Sequence, residues 1–403
     1  MKVMINIKEK TQHWLASRRY NWKNYDVGLI LVVMTLSLIS SYVLSILDIP
    51  GVGSFKRQVV SVVASLLIIA VFSMIDYHTL CMYVPILYVI ATIMVACTRF
   101  SPLGSKGSTD SYRWLDFKVI MFQPSEICKI VIILSLAVFL MQHRDRLQSF
   151  KTFFLTCLIA LVPTFFILVQ SDLSSSVVIV VVLIIMLISS GMGRKIFGPV
   201  VAVLIPITGF LIWYIQQPFQ ILLKDYQLKR ITGWLHPESE ALGIMYQQNN
   251  SVLSIASGKL YGKRLMEGAS QSRNYTSVDV RESDFIWTPI SEEFGFIGCM
   301  IILALLSIII IKCFIAAKRA KDYMGMMIAI GIGSMYCFQI FFNIGVATSI
   351  LPNTGLPLPF LSNGLSSLMS NMMAIGILIN IGIQPNRGSN GSFADSLSMD
   401  DRY

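Results

Sequence analysis

Apolar residues run along this chain in long blocks, and ten of them fit helices that cross a membrane. They cover residues 26–48, 58–75, 79–97, 125–141, 152–170, 175–192, 196–215, 285–311, 324–350 and 366–383. A helix of ~20 apolar residues spans the ~30 Å hydrocarbon core of a bilayer. The pattern predicts an all-α, polytopic integral membrane protein, a single domain over 1–403 with one large polar insertion, 216–284, before the eighth span. At the end of that insertion Val280–Arg281–Glu282–Ser283–Asp284–Phe285–Ile286–Trp287 hands the chain to an apolar helix, with an acid at the junction.

An even span count puts both termini on one side, and basic residues choose which. Lys2, Lys8, Lys10, Arg18, Arg19 and Lys23 precede the first span. Arg144, Arg146 and Lys151 follow the fourth, Arg194 and Lys195 the sixth, and Lys312, Lys318, Arg319 and Lys321 the eighth. The rule makes residues 1–25 and the Ser-, Asn-, Gly- and Asp-rich tail 384–403 cytoplasmic, the tail being expected to be disordered. Loop 98–124, the turn at Asp172, the insertion 216–284 and loop 351–365 then share the outer face.

Composition agrees with this reading. The chain is 55% hydrophobic and only 13% charged, against about 25% charged in soluble domains. The basic, non-apolar first 23 residues are no cleavable signal peptide. Seven cysteines sit mostly in apolar runs without CxxC spacing, which predicts neither a disulfide framework nor a zinc site. The insertion carries eight basic residues, Lys224, Lys229, Arg230, Lys259, Lys263, Arg264, Arg273 and Arg281. They solvate the segment or attract an anionic substrate or headgroup. Around Ser251–Val252–Leu253–Ser254–Ile255 it is expected to form short amphipathic helices on the membrane surface.

Ionisable residues at a membrane helix are functional candidates by default. Asp284 is either an N-cap, for which Asp is favoured, or a reactive carboxylate. Glu292 and Glu293 lie further along the expected helix, Glu292 near the face of Asp284, and either pair within the protein or meet a substrate or cation. Trp114 reads as an interfacial anchor or a sugar platform, and Arg113 beside it as a fork for phosphate. Glu126 and Lys129, at i and i+3, are placed to neutralise each other. Asp172 caps the sixth span or holds a cation or the donor. In 351–365, Pro352, Pro357 and Pro359 stiffen a re-entrant wall, and Ser362, Asn363 and Ser366 offer polar groups beside it.

Four stretches, in order, resemble one family. Arg113–Trp114–Leu115 with Gln123–Pro124–Ser125–Glu126–Ile127–Cys128–Lys129 resembles an RW…QPSExxK motif, and Gln170–Ser171–Asp172–Leu173 a QPDL turn. Ser283–Asp284–Phe285–Ile286 with Glu292–Glu293–Phe294–Gly295 is similar to TDFIF…EExG. Asn343–Ile344–Gly345 with Leu351–Pro352–Asn353–Thr354–Gly355–Leu356–Pro357–Leu358–Pro359–Phe360 resembles NIG…LPxTGxPLPF. These are marks of the SEDS family of RodA, FtsW and SpoVE. The chain departs from the pattern with Ser171 for proline, Ser174–Ser175 for Gly-Thr and Leu365 for a second glycine.

The resemblance implies a peptidoglycan glycosyltransferase that polymerises lipid II at the outer face of the cytoplasmic membrane and works with a class B penicillin-binding protein. It implies that Asp284 is the essential acid, which as a carboxylate can take the proton of an acceptor hydroxyl. Arg113, Trp114, Glu126, Lys129, Asp172, Glu292, Glu293, Pro357, Pro359, Ser362, Asn363 and Ser366 make up the expected substrate-binding set. A divalent cation, Mg2+ or Mn2+, is expected with ligands unknown. Lipid II, the growing glycan strand, the transpeptidase and the membrane are the expected partners, and nucleic acid is not. A lipid II flippase and a weakened scaffold for a penicillin-binding protein are the competing readings.

Overall fold

A computed structural model describes residues 20–47, 54–105, 112–116, 118, 121–193, 245–265 and 272–384, with scattered positions between 195 and 234. The expected seventh span, 196–215, falls largely outside these residues, as do most of 1–25 and all of 385–403. The helices are α1 (Val27–Leu47), α2 (Ser54–Met74), α3 (Tyr77–Met82), α4 (Val84–Phe100), α5 (Pro124–Gln142), α6 (Phe150–Val169), α7 (Leu173–Ser189), α8 (Tyr246–Ser257), α9 (Trp287–Arg319), α10 (Tyr323–Ala347) and α11 (Leu365–Ile383). Among the described residues six helical segments are long and apolar enough to cross a membrane, and three shorter apolar helices accompany them. Each of the other expected spans has its helix.

Local chemistry sets the boundaries. α3 and α4 meet at Tyr83, and Pro85 sits in the first turn of α4, where its missing N–H costs no helical bond. Pro124 occupies the first helical position of α5, where its missing N–H costs nothing. Asp322 caps α10 by accepting from the Gly325 amide at 2.7 Å. The loop before α5 folds into a three-stranded antiparallel sheet of β1 (Gly104–Ser105), β2 (Trp114–Asp116) and β3 (Met121–Phe122).

Burial separates centre from rim. In α5 and α11, 78% of the best apolar window is buried, against 22% in α9. The first two form the interior with α10, and α9 turns most of its side chains outward, to where lipid replaces water as solvent. At the end of the bundle away from Asp284, His78 in α3 is bonded through both ring nitrogens, to Asp76 at 2.8 Å and Asp322 at 2.6 Å. This ties the α2–α3 turn to the start of α10.

Two features of the insertion differ from expectation. The buried face of α8 is polar, Gln248, Ser251 and Ser254, while Leu253 is 61% exposed. Gln248 donates to the carbonyls of Val346 and Leu351, and Ser251 to that of Ala347. The helix is therefore docked by hydrogen bonds on the end of α10, with Tyr246, Val252 and Leu253 facing out. Second, α9 is broken at Gly295 (φ 64°, ψ −168°). The turns after α8 fill the break: Lys263 N donates to Glu292 O at 2.9 Å, Phe296 N to Lys259 O at 2.9 Å and Ile297 N to Leu260 O at 3.1 Å. Opened backbone in a membrane protein persists only where it finds such partners. Gly262 permits the approach, since a Cβ there would stand 2.1 Å from Glu293 O.

Candidate active site

Asp284 lies in a run of turns, 281–286, not in a helix. The N-cap of α9 is Ile286, with no side-chain cap, so the expected capping position, Asp284, falls two residues too early. The expected helical register from Asp284 to Glu292 fails for the same reason. The turn is anchored by its neighbours, because Phe285 and Ile286 are fully buried and Phe285 N returns to Val280 O at 3.2 Å. Between these anchors Asp284 is half-buried.

The wall loop 351–364 is stitched onto this turn. Asn363 N donates to Glu282 O at 2.9 Å. The Ser362 hydroxyl donates to Ser283 O at 2.6 Å and accepts from Leu358 N at 2.7 Å. From α10, Asn343 Nδ2 bridges Asp284 O at 2.8 Å and Leu356 O at 2.7 Å. Gly355, at φ 73°, faces the carboxylate so closely that a Cβ there would lie 3.0 Å from Asp284 Oδ2. Pro359 is buried within the loop and Pro357 is partly exposed on it. Phe360 behind them packs on Tyr336, ring centroids 5.3 Å apart.

Four buried polar atoms of this region have no hydrogen-bond partner among the described residues: Arg281 Nε, Glu282 Oε2, Asn343 Oδ1 and Thr354 Oγ1. Buried polar atoms are nearly always paired in folded proteins, so unmet capacity concentrated around one turn marks a place for a polar ligand.

A second cluster joins the same wall through the start of α11. Gln123 N donates to the Ser366 hydroxyl at 3.0 Å, and Gln123 Nε2 reaches Asp172 Oδ2 at 3.5 Å. Asp172 caps α7, accepting from Ser175 N at 3.2 Å and from the Ser174 and Ser175 hydroxyls at 2.8 Å each. Complete burial pushes its carboxyl up, but the Arg113 charge and the two serines outweigh this and hold it below the usual range. The Ser174–Ser175 departure from the family pattern supplies those hydroxyls. Arg113 donates to Ser171 O at 2.8 Å and stands 3.9 Å from Asp172, while its buried Nε has no partner among the described residues. Trp114 is partly exposed in β2, opposite Ser105.

The other expected site residues have protein partners. Lys129 and Glu126 form a buried ion pair at 2.9 Å, with Ser370 at 3.5 Å from the same carboxylate. Glu292 is fully buried and accepts from Lys263 Nζ at 2.5 Å, from the Asn274 and Tyr275 amides at 2.8 Å each, and from Ser254. Glu293 receives Arg273 Nε at 2.7 Å. These acids clamp the insertion to α9. Gly355, Asn343 and Gln123 went unselected among the sequence candidates, although all three lie in the quoted motifs.

Among the described residues no group of three or more His, Cys, Asp or Glu side chains fits a metal ion, and the Asp172 oxygens are already engaged. The described residues therefore do not fit a resident cation held by protein ligands alone.

The bundle and its one polar, re-entrant mouth define a multi-pass helical membrane protein with a built site at one end. Residues 23–387 match the model of the FtsW, RodA and SpoVE family, described as cell cycle protein, and the chain belongs to this SEDS family. It is 32% identical over 360 residues to the peptidoglycan glycosyltransferase MrdB of Escherichia coli K12, covering 88% of this chain and 93% of that protein. It is 33% identical over 373 residues to stage V sporulation protein E of Bacillus subtilis 168, covering 89% and 98%. The fold matches a chain from a structure described as structural coordination of polymerization and crosslinking by a peptidoglycan synthase complex, with TM-score 0.73, 22% identity and coverage of 89% and 97%. It also matches the rod shape determining protein RodA of Thermus thermophilus, with TM-score 0.64, 22% identity and coverage of 90% and 98%.

Proposed function

We propose that this protein is a peptidoglycan glycosyltransferase that joins lipid II into glycan strands at the outer face of the bacterial cytoplasmic membrane, with both termini cytoplasmic. The reading rests on one observation above others. The half-buried Asp284 carboxylate stands at Gly355, between a turn and a wall that are hydrogen-bonded to each other at two points and bridged at a third by Asn343. Positioning of this kind is what a general base needs.

In the proposed reaction the acceptor hydroxyl gives its proton to Asp284 as its oxygen bonds to the anomeric carbon of the donor sugar. The bond from that carbon to the pyrophosphate oxygen breaks, and undecaprenyl pyrophosphate leaves with the electron pair. Attack opposite the leaving group inverts the anomeric centre. Glu282, Asn343 and Thr354 are placed to meet sugar hydroxyls with their unpaired atoms, and the Arg113 Nε with Trp114 to receive pyrophosphate and sugar. Mg2+ or Mn2+ is proposed to arrive with the pyrophosphate, since Mg2+ commonly binds through substrate phosphates and few carboxylates. A class B penicillin-binding protein is the proposed partner that cross-links the product.

The purified chain, with such a transpeptidase, is given lipid II and a divalent cation, and products are separated by length. Long strands from the parent and none from an Asp284→Asn variant of equal thermal stability are expected. Equal product from both removes the base assignment. Product from neither, together with translocation of labelled lipid II in proteoliposomes, replaces the enzyme by a flippase.

A further inference from the structure

At the end of the bundle away from Asp284 lies a cavity of about 810 Å3 between the entry to α1, the end of α9 and the end of α11. Five cationic side chains line it, Lys23, Lys312, Lys318, Arg319 and Lys321, with a single carboxylate, Asp26. That carboxylate is taken, by Lys312 at 2.7 Å and by the Leu29 amide at 3.0 Å. Among the described residues no carboxylate pairs with Lys23, Lys318, Arg319 or Lys321. The positive-inside rule accounts for cations at this end of the helices, but not for their convergence on one hollow.

Leu29, Ile315, Ala316, Leu378 and Ile379 supply the apolar part of the lining, beside Asn24. The mouth carries aromatic residues. Tyr25 lines it, Trp22 is 54% exposed with its ring 6.0 Å from Tyr25, and Tyr20 stands edge-on to Trp22 at 5.8 Å. Trp and Tyr collect at headgroup depth, so the aromatic cluster sets the level at which the cations sit. The rim is fixed in place, because Asn21 N donates to Ile383 O at 2.9 Å.

We propose that this cavity binds one anionic glycerophospholipid. Its phosphate would lie among Lys318, Arg319, Lys321 and Lys23, and an acyl chain would run along the exposed Ile315 and Ile311 of α9. Converging cations, an adjoining exposed apolar face of α9 and an aromatic rim suit a headgroup with its chain; free phosphate would use only the first. A bound lipid would brace the end of α11 whose other end carries the wall of the active site.

The test uses the full chain in detergent, with phosphatidylglycerol and phosphatidylcholine of equal chain length as probes and native mass spectrometry counting bound lipid. Phosphatidylglycerol should bind in a single saturable site and phosphatidylcholine should not. At about 1 kcal/mol per basic residue near an anionic headgroup, Lys318→Gln, Arg319→Gln and Lys321→Gln together should weaken binding by roughly 100-fold. An Ala316→Trp variant keeps every charge but fills the hollow, and it should lose the lipid with an unchanged melting temperature. Three results overturn the proposal: equal binding of both lipids, displacement of phosphatidylglycerol by inorganic phosphate, or binding undiminished by Ala316→Trp. Binding seen only after removal of residues 385–403, which carry Asp395, Asp400 and Asp401, would make the tail the occupant and overturn it as well.

Discussion

A carboxylate becomes a base by being placed, and the residue that limits the placing of Asp284 has no side chain. Gly355 sits at φ 73° and leaves 3.0 Å between a hypothetical Cβ and Asp284 Oδ2. Left-handed backbone costs an L-residue about 1–2 kcal/mol, and the added methyl pushes directly on the carboxylate. Gly355→Ala is expected to retain most thermal stability while glycan synthesis falls at least tenfold, a split that strand-length gels beside melting curves would reveal. A variant as active as the parent removes Gly355 from the site. Asp172 answers to pH instead. Its carboxyl is held below the usual value, so the stability it contributes is present above the unfolded value of ~3.9 and is lost as pH falls through the lower folded value. Asp172→Asn keeps a capping oxygen, since Asn and Asp cap about equally well, so its cost comes from the lost charge beside Arg113 and the two serine donors. The gap to the parent should hold from pH 5 to 8 and close only in acid below about pH 4. A gap that closes near neutrality excludes this account. The motifs made Asp284, Asp172 and Arg113 visible in the sequence. What faces Asp284 was not, because a glycine against a carboxylate some seventy positions away leaves no local periodicity.

Elements were legible to the extent that lipid decides them. A run of ~20 apolar residues has one outcome in a bilayer, and α1, α5, α6, α10 and α11 start and stop within a few residues of the expected spans. Elements decided by protein contacts were not legible. α8 buries Gln248 and Ser251 because carbonyls at the end of α10 need donors, and Ser254 because it donates to Glu292, an inversion of the pattern a membrane-surface helix would show. The break in α9 depends on Gly258, Gly262 and Gly295 meeting across the fold, again at long range. The Glu292–Lys263 pair fastens this crossing. Removing one partner of a buried ion pair typically costs ~3–5 kcal/mol, and removing both costs less than the sum. Glu292→Gln and Lys263→Met should each lower the melting temperature in detergent, and the double variant should melt above the value that additivity gives. Strict additivity would mean the two do not work as a pair.

The whole molecule separates two chemistries along its longest element. α9 has 33 residues, about 50 Å at ~1.5 Å per residue, which exceeds the ~30 Å hydrocarbon core. The break at Gly295 resolves the excess: the turn of Glu292 and Glu293 belongs to the folded insertion, and the following ~24 residues, ~36 Å, make the crossing. One end thus stands at Asp284 and the wall loop, the other at the basic cavity of Lys318 and Arg319. If glycan synthesis runs outside, the insertion must be outside and that cavity inside. Single cysteines replacing Ser277, exposed on the insertion, and Lys318, exposed at the far end of α9, report on this through a membrane-impermeant thiol reagent, with labelling of the parent's seven native cysteines subtracted. In intact cells Ser277→Cys should react and Lys318→Cys should not, and permeabilisation should expose the second. The reverse pattern would put Asp284 on the cytoplasmic side, where nascent glycan cannot reach the wall. It would overturn the proposed polymerase even if every contact around the carboxylate stood.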